Sequence, residues 1–223
     1  MSLFGRKKKD TDKTKEIKNK STDSLDINIK KVKEILKDCD DVVYKEFVVG
    51  EEQKLRFTLV YIDGMVSTDL INLSVLETLM IEARKVAPDA PKYRDKIYEL
   101  VRYGNIPASE LSETEDLDEA ILNILIGDAM LFIDGVSTLI TIGAKGWPTR
   151  SIDEPSTESV IRGPRDGFVE TFRMNTALVR RRIRDPRLKL KQMRIGRRSK
   201  TDVGIFYIED IVREELLNEV IRR

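Results

Sequence analysis

The spacing of apolar residues in the first part of the chain predicts helices and strands in alternation. Between Ser24 and Cys39, apolar residues recur every three or four positions, which predicts a helix with one buried face and a serine cap at its start. Two runs rich in β-branched and aromatic residues follow, at 42–49 and 54–62, and predict a hairpin. A further helix is expected from Ser67 onward, so this part should contain helix, strand, strand and helix.

The next part of the chain has the same kind of pattern. A helix is predicted over 115–126, because the acidic run SETEDLDEA suits a helix N-terminus and apolar residues follow it. Two apolar strands are predicted at 129–133 and 137–143, and the Asp134-Gly135 pair between them is typical of a tight turn. This pattern again predicts a helix followed by two strands.

These patterns predict the fold class and its division into units. The chain should have an α/β (α+β) fold made of two small mixed α/β subdomains joined by a linker. A Gly-to-Pro interruption at 104–107 places the boundary between one subdomain at 23–105 and a second at 106–223. Residues 1–22 are basic and contain very few apolar residues, so we expect a disordered tail there.

The second subdomain should contain an Arg-rich helix. Asp166 is placed to cap a helix over 167–184, which Asp185-Pro186 would end. Projection of this helix predicts one apolar stripe, with Asn175 in its middle. The stripe is formed by Phe168, Phe172, Val179 and Ile183. Asn175 should therefore be partly buried, with its amide bonded either to neighbouring backbone or to a ligand.

A hairpin and a last helix should follow. The segment RLKLKQMRI, at 187–195, alternates apolar and basic residues and predicts a strand with one basic face. A basic turn is expected from Arg197 to Lys200, and VGIFYI, at 203–208, is expected to be the most buried strand of the chain. A helix over 211–223 closes the predicted order of elements.

The balanced overall charge hides a strongly basic region. The chain has 40 Lys and Arg residues against 39 Asp and Glu, yet residues 162–200 carry eleven Arg and three Lys against three carboxylates. The basic N-terminal tail is either a solvated extension or a segment attracted to an anionic membrane surface. The Arg-rich region has no recognisable nucleic-acid motif, and its aromatic residues belong to the predicted core. Nucleic acid is therefore not an expected partner.

The residue types exclude most catalytic and metal chemistry. The chain has one cysteine, Cys39, and no histidine, which removes disulfides, the commonest general base and the commonest metal ligand. The sequence contains no Gly-rich phosphate loop, CxxC pair or G-x-S-x-G element. We therefore predict no catalytic residue, no metal and no cofactor. The sequence shows no apolar run long enough to span a bilayer, and its start lacks the apolar stretch of a secretory signal.

The candidate binding residues all lie in the Arg-rich region. Arg173 and Arg180 lie seven residues apart on one flank of the predicted helix, so their guanidiniums could together bind a carboxylate. The alternative is that this flank is a solvated or salt-bridged helix face without a ligand. The full set of ligand- or partner-binding candidates is Arg162, Arg165, Arg173, Asn175, Thr176, Arg180, Arg197 and Arg198.

The same region resembles a known family. The segment EPSTESVIRGPRDGFVETFRMNTALVRRRIRDPRLKLKQMRIGRRSKTDVGIFYIEDI, at 154–211, is similar to the signature of the A subunits of nutrient germinant receptors of spore-forming bacteria, the GerA family. The upstream segments YIDGMV, GDAMLFIDG and KGWPTRSIDEP are similar to the same family. The likeness extends from Phe57 to about Val220, and Met174 stands where the family tends to have a small or hydroxylated residue.

The resemblance implies that the chain is the N-terminal part of a larger subunit whose membrane-spanning part follows. It implies a location at the spore inner membrane with this domain on the cytosolic, core side, B and C subunits as partners, and a likeness to solute-binding proteins. Other A subunits, and a small nutrient such as an amino acid or a sugar, are further candidate partners. Ligand residues are not carried over, because nutrient recognition in this family is shared with the B subunit.

Two functions are compatible with these features. The first is a sensory and signalling domain that takes part in nutrient recognition and couples to sister subunits through its Arg-rich part. The second is direct binding of a small nutrient in a cleft between the two subdomains, with a carboxylate held by Arg165, Arg173 or Arg180 and oriented by Asn175. An assembly module without its own ligand and a nucleic-acid-binding domain are the alternatives.

Overall fold

A five-stranded antiparallel sheet lies at the centre of the structure, with its strands in the order β1-β2-β4-β5-β3. The strands are β1 (Val42–Val49), β2 (Leu55–Ile62), β3 (Leu111–Thr114), β4 (Ala129–Ile133) and β5 (Leu139–Ile142). The computed structural model describes residues 19–50, 54–77, 79, 81, 93–103, 110–146 and 167–223. Within these ranges, no helix combines the length and the apolar character that a bilayer span requires.

The main sheet joins strands from both predicted subdomains. β2 pairs with β4 in antiparallel register, from Phe57 opposite Ile133 to Val60 opposite Met130. Both are central strands, and their buried backbone groups need a neighbouring strand on either side. The sheet therefore runs across the boundary that the sequence analysis places at residue 106. The mixed α/β class is confirmed, whereas the likeness to solute-binding proteins stays a prediction.

Helices lie against both faces of the sheet. The described helices are α1 (Leu25–Ile35), a π-helix (Leu70–Leu76), α2 (Tyr93–Tyr103), α3 (Leu117–Leu125), α4 (Phe172–Arg182) and α5 (Glu214–Arg222). On one face, α1 and α3 pack apolar side chains such as Val32 and Ile124 against Val60 of β2 and Phe132 of β4. On the other face, the π-helix and α2 pack against Leu59 of β2. The result is a three-layer arrangement with an apolar core on each side of the sheet.

Local side-chain bonds set where two of these helices begin. The Ser24 hydroxyl caps α1, as predicted, by accepting a hydrogen bond from the Ile27 amide at 3.5 Å. Asp116 caps α3 by accepting a hydrogen bond from the Asp118 amide at 2.9 Å. The acidic run SETEDLDEA is divided between two elements: residues 112–114 pair with β5 in the edge strand β3, whereas Asp118 and Glu119 lie in the first turn of α3, as predicted.

The Arg-rich region folds as helix α4 over a separate two-stranded sheet. Strands β6 (Leu188–Ile195) and β7 (Thr201–Ile208) form an antiparallel hairpin where the sequence predicts one. α4 covers one face of this hairpin. The Phe172 ring lies so close to Gly204 that a Cβ added there would come within 3.0 Å of the ring, so this position requires a glycine or a shift of the helix.

Two details of this region differ from the prediction. α4 begins at Phe172 instead of residue 167, so the predicted apolar stripe is wrong: Phe168 is 74% exposed and Ile183 is exposed as well. The face that α4 buries consists of Thr176, Ala177, Leu178 and Arg180. β7, predicted to be the most buried strand, is half-exposed because α4 covers only one face of the hairpin.

Candidate functional site

The most deeply buried charge of the described chain is Arg180, on the inner side of α4. Its side chain is 0% exposed, and its Nε and Nη2 atoms each donate to one oxygen of Asp41 at 2.8 Å. Its third group, Nη1, donates to the Leu188 carbonyl at 2.6 Å. The guanidinium is therefore held by a bidentate ion pair and a backbone acceptor, and none of it is exposed to solvent.

The chain brings Asp41 to this position through a short strand-like segment after α1. Asp38 has a φ of 58°, in the left-handed region, and turns the chain away from the helix. The Asp40 amide then donates to the Leu190 carbonyl at 2.9 Å, and the Leu190 amide donates to the Asp38 carbonyl at 3.1 Å. The Asp40 side chain also accepts a hydrogen bond from the Gln192 amide at 2.7 Å. Residues 38–41 thus line the edge of β6, and we call this contact, with Arg180 and Lys189, the junction.

The electrostatics of the junction keep its arginine charged and its cysteine inert. Burial lowers the pKa of Arg180, but the hydrogen bonds and the negative charge of Asp41 outweigh this, and the net shift of the pKa is upward. Cys39 lies in the same place, with its Sγ 3.6 Å from the Leu188 carbonyl oxygen. Burial raises the pKa of the Cys39 thiol above its ordinary value. A buried thiol of raised pKa is a poor nucleophile, so the junction offers an ionic contact and no covalent chemistry.

Lys189 adds a second buried cation on the other side of β6. Its residue is 2% exposed, and its Nζ donates to the Ile35 carbonyl at 3.0 Å, at the C-terminus of α1. The same Nζ lies 3.3 Å from a carboxylate oxygen of Glu209, which follows β7. A cation is favourable at a helix C-terminus, because unpaired carbonyl groups point there. Lys189 therefore connects α1 to the base of the hairpin.

Three predicted candidates on α4 also bond within the chain. The Asn175 amide group donates to the Val169 carbonyl at 2.6 Å and accepts from the Val169 amide at 2.8 Å, which fixes the turn that precedes α4. The buried Thr176 hydroxyl donates to the Arg173 carbonyl at 3.0 Å. Arg173 pairs through Nε with Asp63 at 2.8 Å. Neighbouring backbone, the first of the two partners considered for Asn175, is the partner in the structure.

The remaining candidates lie elsewhere. Arg197 and Arg198 are exposed at the far end of the hairpin, away from the junction. Arg162 and Arg165 lie outside the described residues. The predicted carboxylate clamp therefore differs from what is seen, because the carboxylate that Arg180 holds belongs to Asp41 of the same chain.

Sequence reasoning missed the residues that complete the junction, Asp41, Lys189 and Cys39. One signal was present: Asp41 directly precedes a strand of mostly apolar residues, where a carboxylate carried into the interior requires a cationic partner. Among the described residues, no group of acidic or cysteine side chains is arranged to hold a metal ion.

A second feature is a groove between α1 and the first two strands. Its volume is about 500 Å³, and charged side chains of both signs surround an apolar floor. It is lined by Leu25, Asp26, Ile29, Lys30, Lys33, Glu34, Lys37, Glu46, Phe47, Val48, Arg56, Phe57 and Thr58. Arg56 closes one end by bonding both oxygens of Asp26, at 2.9 and 3.1 Å. The groove has the size of a small-ligand site and is separate from the Arg-rich region.

Comparison with known proteins gives a consistent set of relatives. The model of a family described as "Bacillus/Clostridium GerA spore germination protein" matches residues 30–223. Spore germination protein KA of Bacillus subtilis (strain 168) is 30% identical over 200 residues, which cover 90% of this chain and 36% of that protein. The uncharacterized membrane protein YfkQ of the same organism is also 30% identical over 200 residues, covering 90% of this chain and 37% of YfkQ. The chain thus spans little more than a third of these relatives.

A solved structure has the same fold. It is the crystal structure of the N-terminal domain of the A subunit of the Bacillus megaterium spore germinant receptor GerK3. The two structures superpose with a TM-score of 0.68 at 27% sequence identity, and the match covers 92% of this chain and 72% of the other.

Proposed function

Because the chain belongs to the Bacillus/Clostridium GerA spore germination protein family, we propose that it is the sensory and signalling part of a germinant receptor A subunit. Membership of this family implies a role in spore germination, and the family is not a known enzyme family. In the proposed role the domain takes part in nutrient recognition and couples to B and C subunits, on the cytosolic, core side of the spore inner membrane. The name of the relative YfkQ, a membrane protein, supports the association with a membrane.

The observation that carries the coupling proposal is the junction. Its ion pair, its strand-like contact along β6 and the Lys189 bond to α1 all join the Arg-rich hairpin to the three-layer core. A buried ion pair of this geometry has one favourable arrangement, and partial displacement would leave two charges without partners. A force that a sister subunit applies to the hairpin is therefore transmitted to the core. In the other direction, a structural change that a ligand causes in the core is transmitted to the hairpin.

Spores that carry variants of the full-length gene test this proposal. Asp41→Asn removes the negative charge that Arg180 requires, and we expect the nutrient-triggered loss of spore refractility to be abolished or strongly slowed. Asp210→Asn is the matched control, because Asp210 pairs at the surface with Arg187, which keeps a second partner in Asp185. The control strain should respond like the parent.

Immunoblots of the spores separate signalling from loss of the protein, because responses are compared at equal subunit level. A strain that lacks the gene and still germinates normally on every nutrient would contradict the proposed function. A normal response of the Asp41→Asn strain would remove the junction from the coupling route.

Direct binding of a small nutrient is a second candidate function, and the groove beside α1 favours it. Charged groups of both signs line the groove above an apolar floor, among them Lys30 and the ion pair of Lys33 with Glu46 at 4.0 Å, which suits an amino acid with both charges or a polar sugar. This site replaces the cleft expected around Arg173 and Arg180, whose side chains are bonded to carboxylates of the chain itself.

Filling the groove tests this second function. Val48→Trp places a large side chain in the groove at a half-exposed position, and Val220→Trp makes the same change on the exposed face of α5. Calorimetric titration of amino acids and sugars should show binding to the parent chain and to Val220→Trp, with at least a tenfold loss in Val48→Trp. Equal binding by both variants would place the nutrient elsewhere, and no heat from the parent with ligand at ~1 mM would leave only the coupling role.

A further inference from the structure

The distal half of the β6–β7 hairpin extends beyond the rest of the described structure. The last contact of β6 with residues 38–41 is at Gln192, whose amide bonds to Asp40. From Arg194 to Asp202 every residue is exposed. We call residues 193–203 the arm. Because a two-stranded ribbon is only marginally stable by itself, an exposed arm of this kind gains from a surface that it can lie against.

One face of the arm is apolar and lies opposite the face that α4 covers. The strand register pairs Met193 with Val203 and Lys191 with Ile205, so their side chains share one face of the ribbon. Gly204 belongs to the other face, beneath Phe172. Met193, Val203 and Ile205 are only half-buried, and α4 lies over the opposite face of the ribbon.

The end of the arm combines an exposed apolar residue with unpaired cations. Ile195 is 53% exposed and sits at the last position of β6. The turn that follows carries Arg197, Arg198 and Lys200, all exposed, and none of them forms an ion pair within the described part of the chain. Arg194, one position earlier, does pair with Asp202 at 3.0 Å. This end of the arm, which we call the tip, thus has three net positive charges beside an apolar strip.

We propose that the arm binds the surface of an anionic lipid bilayer. Cations near such a surface are attracted to the lipid phosphates, and apolar side chains beside them enter the boundary between headgroups and acyl chains. The electrostatic attraction comes from Arg197, Arg198 and Lys200. The apolar contact comes from Ile195 and from the apolar strip behind it. This inference goes beyond the proposed function, because it concerns a lipid surface and neither a nutrient nor a sister subunit.

Lipid fits the arm better than nucleic acid does. Proteins that hold single strands present aromatic side chains for base stacking, and residues 193–203 contain none. An apolar strip gains little from the sugar-phosphate backbone of a duplex, whereas it gains free energy in a lipid interface. The name of the relative YfkQ, a membrane protein, points the same way.

Flotation of the whole chain with lipid vesicles tests the proposal. The probe is vesicles of phosphatidylglycerol and phosphatidylcholine, with pure phosphatidylcholine vesicles as the neutral arm. The combined variant Arg197→Gln, Arg198→Gln and Lys200→Gln should bind anionic vesicles about 10- to 100-fold more weakly than the parent. Lys30→Gln, Lys37→Gln and Lys54→Gln remove the same charge from exposed positions elsewhere, and should cost less than about threefold.

Three results would overturn the proposal. They are equal weakening by the two triple variants, no binding of the parent to anionic vesicles, and tighter binding of the parent to a short DNA duplex that the tip variant alone loses. The basic tail at 1–22 is present in every variant, so its own attraction to anionic lipid does not affect the comparison. All substituted positions are exposed, and unchanged thermal unfolding would confirm that both variants fold.

A second measurement follows the apolar part of the contact. Ile195→Trp should show a blue shift of its fluorescence with anionic vesicles and none with phosphatidylcholine, after subtraction of the parent signal from Trp147. Val220→Trp, at a similarly exposed apolar position outside the arm, is the control and should show no shift. A shift in both variants, or in neither, would contradict insertion of the arm.

Discussion

The junction and the tip of the arm use the same residue type in opposite ways. Arg180 and Arg198 belong to one continuous Arg-rich stretch, yet the first is fully buried against Asp41 and the second is exposed on a turn without an ion pair in the described chain. The buried arginine determines how the hairpin sits on the core. The exposed one leaves its charge available to an outside partner. Local charge density therefore says little about the role of an arginine, because the role depends on whether a carboxylate from elsewhere meets it.

Breaking the buried pair should have the largest effect. Asp41→Ala leaves the Arg180 charge buried with a single backbone acceptor, and we expect the free energy of unfolding to fall by about 3–5 kcal/mol. Urea denaturation of the parent and the variant measures this difference.

Replacing both Asp41 and Arg180 by apolar residues separates the loss of their ion pair from the burial of an unpaired charge. The double variant Asp41→Leu with Arg180→Met removes both charges together, so it should be more stable than Asp41→Ala, because no charge stays buried without a partner. A double variant that is as unstable as the single one would mean that the bond to the Leu188 carbonyl, and not the ion pair, holds the junction together.

The next largest effect is expected at Asn175. Asn175→Ala removes both bonds to the Val169 backbone and should lower the free energy of unfolding by about 1–3 kcal/mol. Asn218→Ala, on the exposed side of α5, is the matched control and should change it by less than about 0.5 kcal/mol. If the two variants unfold at the same denaturant concentration, the Asn175 bonds contribute nothing to stability.

A smaller effect should appear at acid pH near the base of the hairpin. The Arg187 guanidinium lowers the pKa of the Asp185 carboxyl below its ordinary value. Because the folded pKa is the lower one, this contribution to stability is complete above about pH 4 and is lost as the pH falls through the folded pKa. Asp185→Asn should cost up to about 1 kcal/mol at neutral pH, and this cost should shrink as the pH is lowered below about 4, as measured by denaturation over a series of pH values. A difference that is constant with pH would assign the effect to packing.

The smallest effect is expected at the tip. Arg197→Ala combined with Arg198→Ala should leave the free energy of unfolding within about 0.5 kcal/mol of the parent, because neither side chain contacts the core. Thermal unfolding measures it. A larger loss would show that the tip is packed and would weaken the contrast with the junction.

Much of the local structure was predictable from the sequence. β1 lies where its β-branched and aromatic run predicts it, β4 lies where its apolar run predicts it, and α1 begins at its predicted Ser24 cap. These features depend on residues within a few positions of each other. The start of α4 was not predicted correctly, because the bond from Asn175 back to Val169 holds the preceding residues in a turn instead of a helical first turn.

The candidate site was much less predictable, because its partners are distant in sequence. Nothing near Arg180 shows that it is buried, since the carboxylate that neutralises it lies 139 residues earlier in the chain. The pairing of β2 with β4 is hidden for the same reason, because each strand could accept several antiparallel neighbours. The basic turn at Arg197 and Arg198 was predicted correctly, since it depends only on the Gly196 break between two neighbouring strands.

The strand-like contact of residues 38–41 with β6 also has a consequence for biosynthesis. A ribosome adds about 5–20 residues per second, so the 139 residues between Asp41 and Arg180 take roughly 7 to 28 seconds to make. During that time the sheet and its two layers of helices can form, but Asp41 stays without its cation and the edge of residues 38–40 stays open. An open strand edge is a site of aggregation in nascent chains. The Arg-rich segment is thus the last piece that closes the domain, and a nascent chain stalled before it presents the unpaired edge to chaperones.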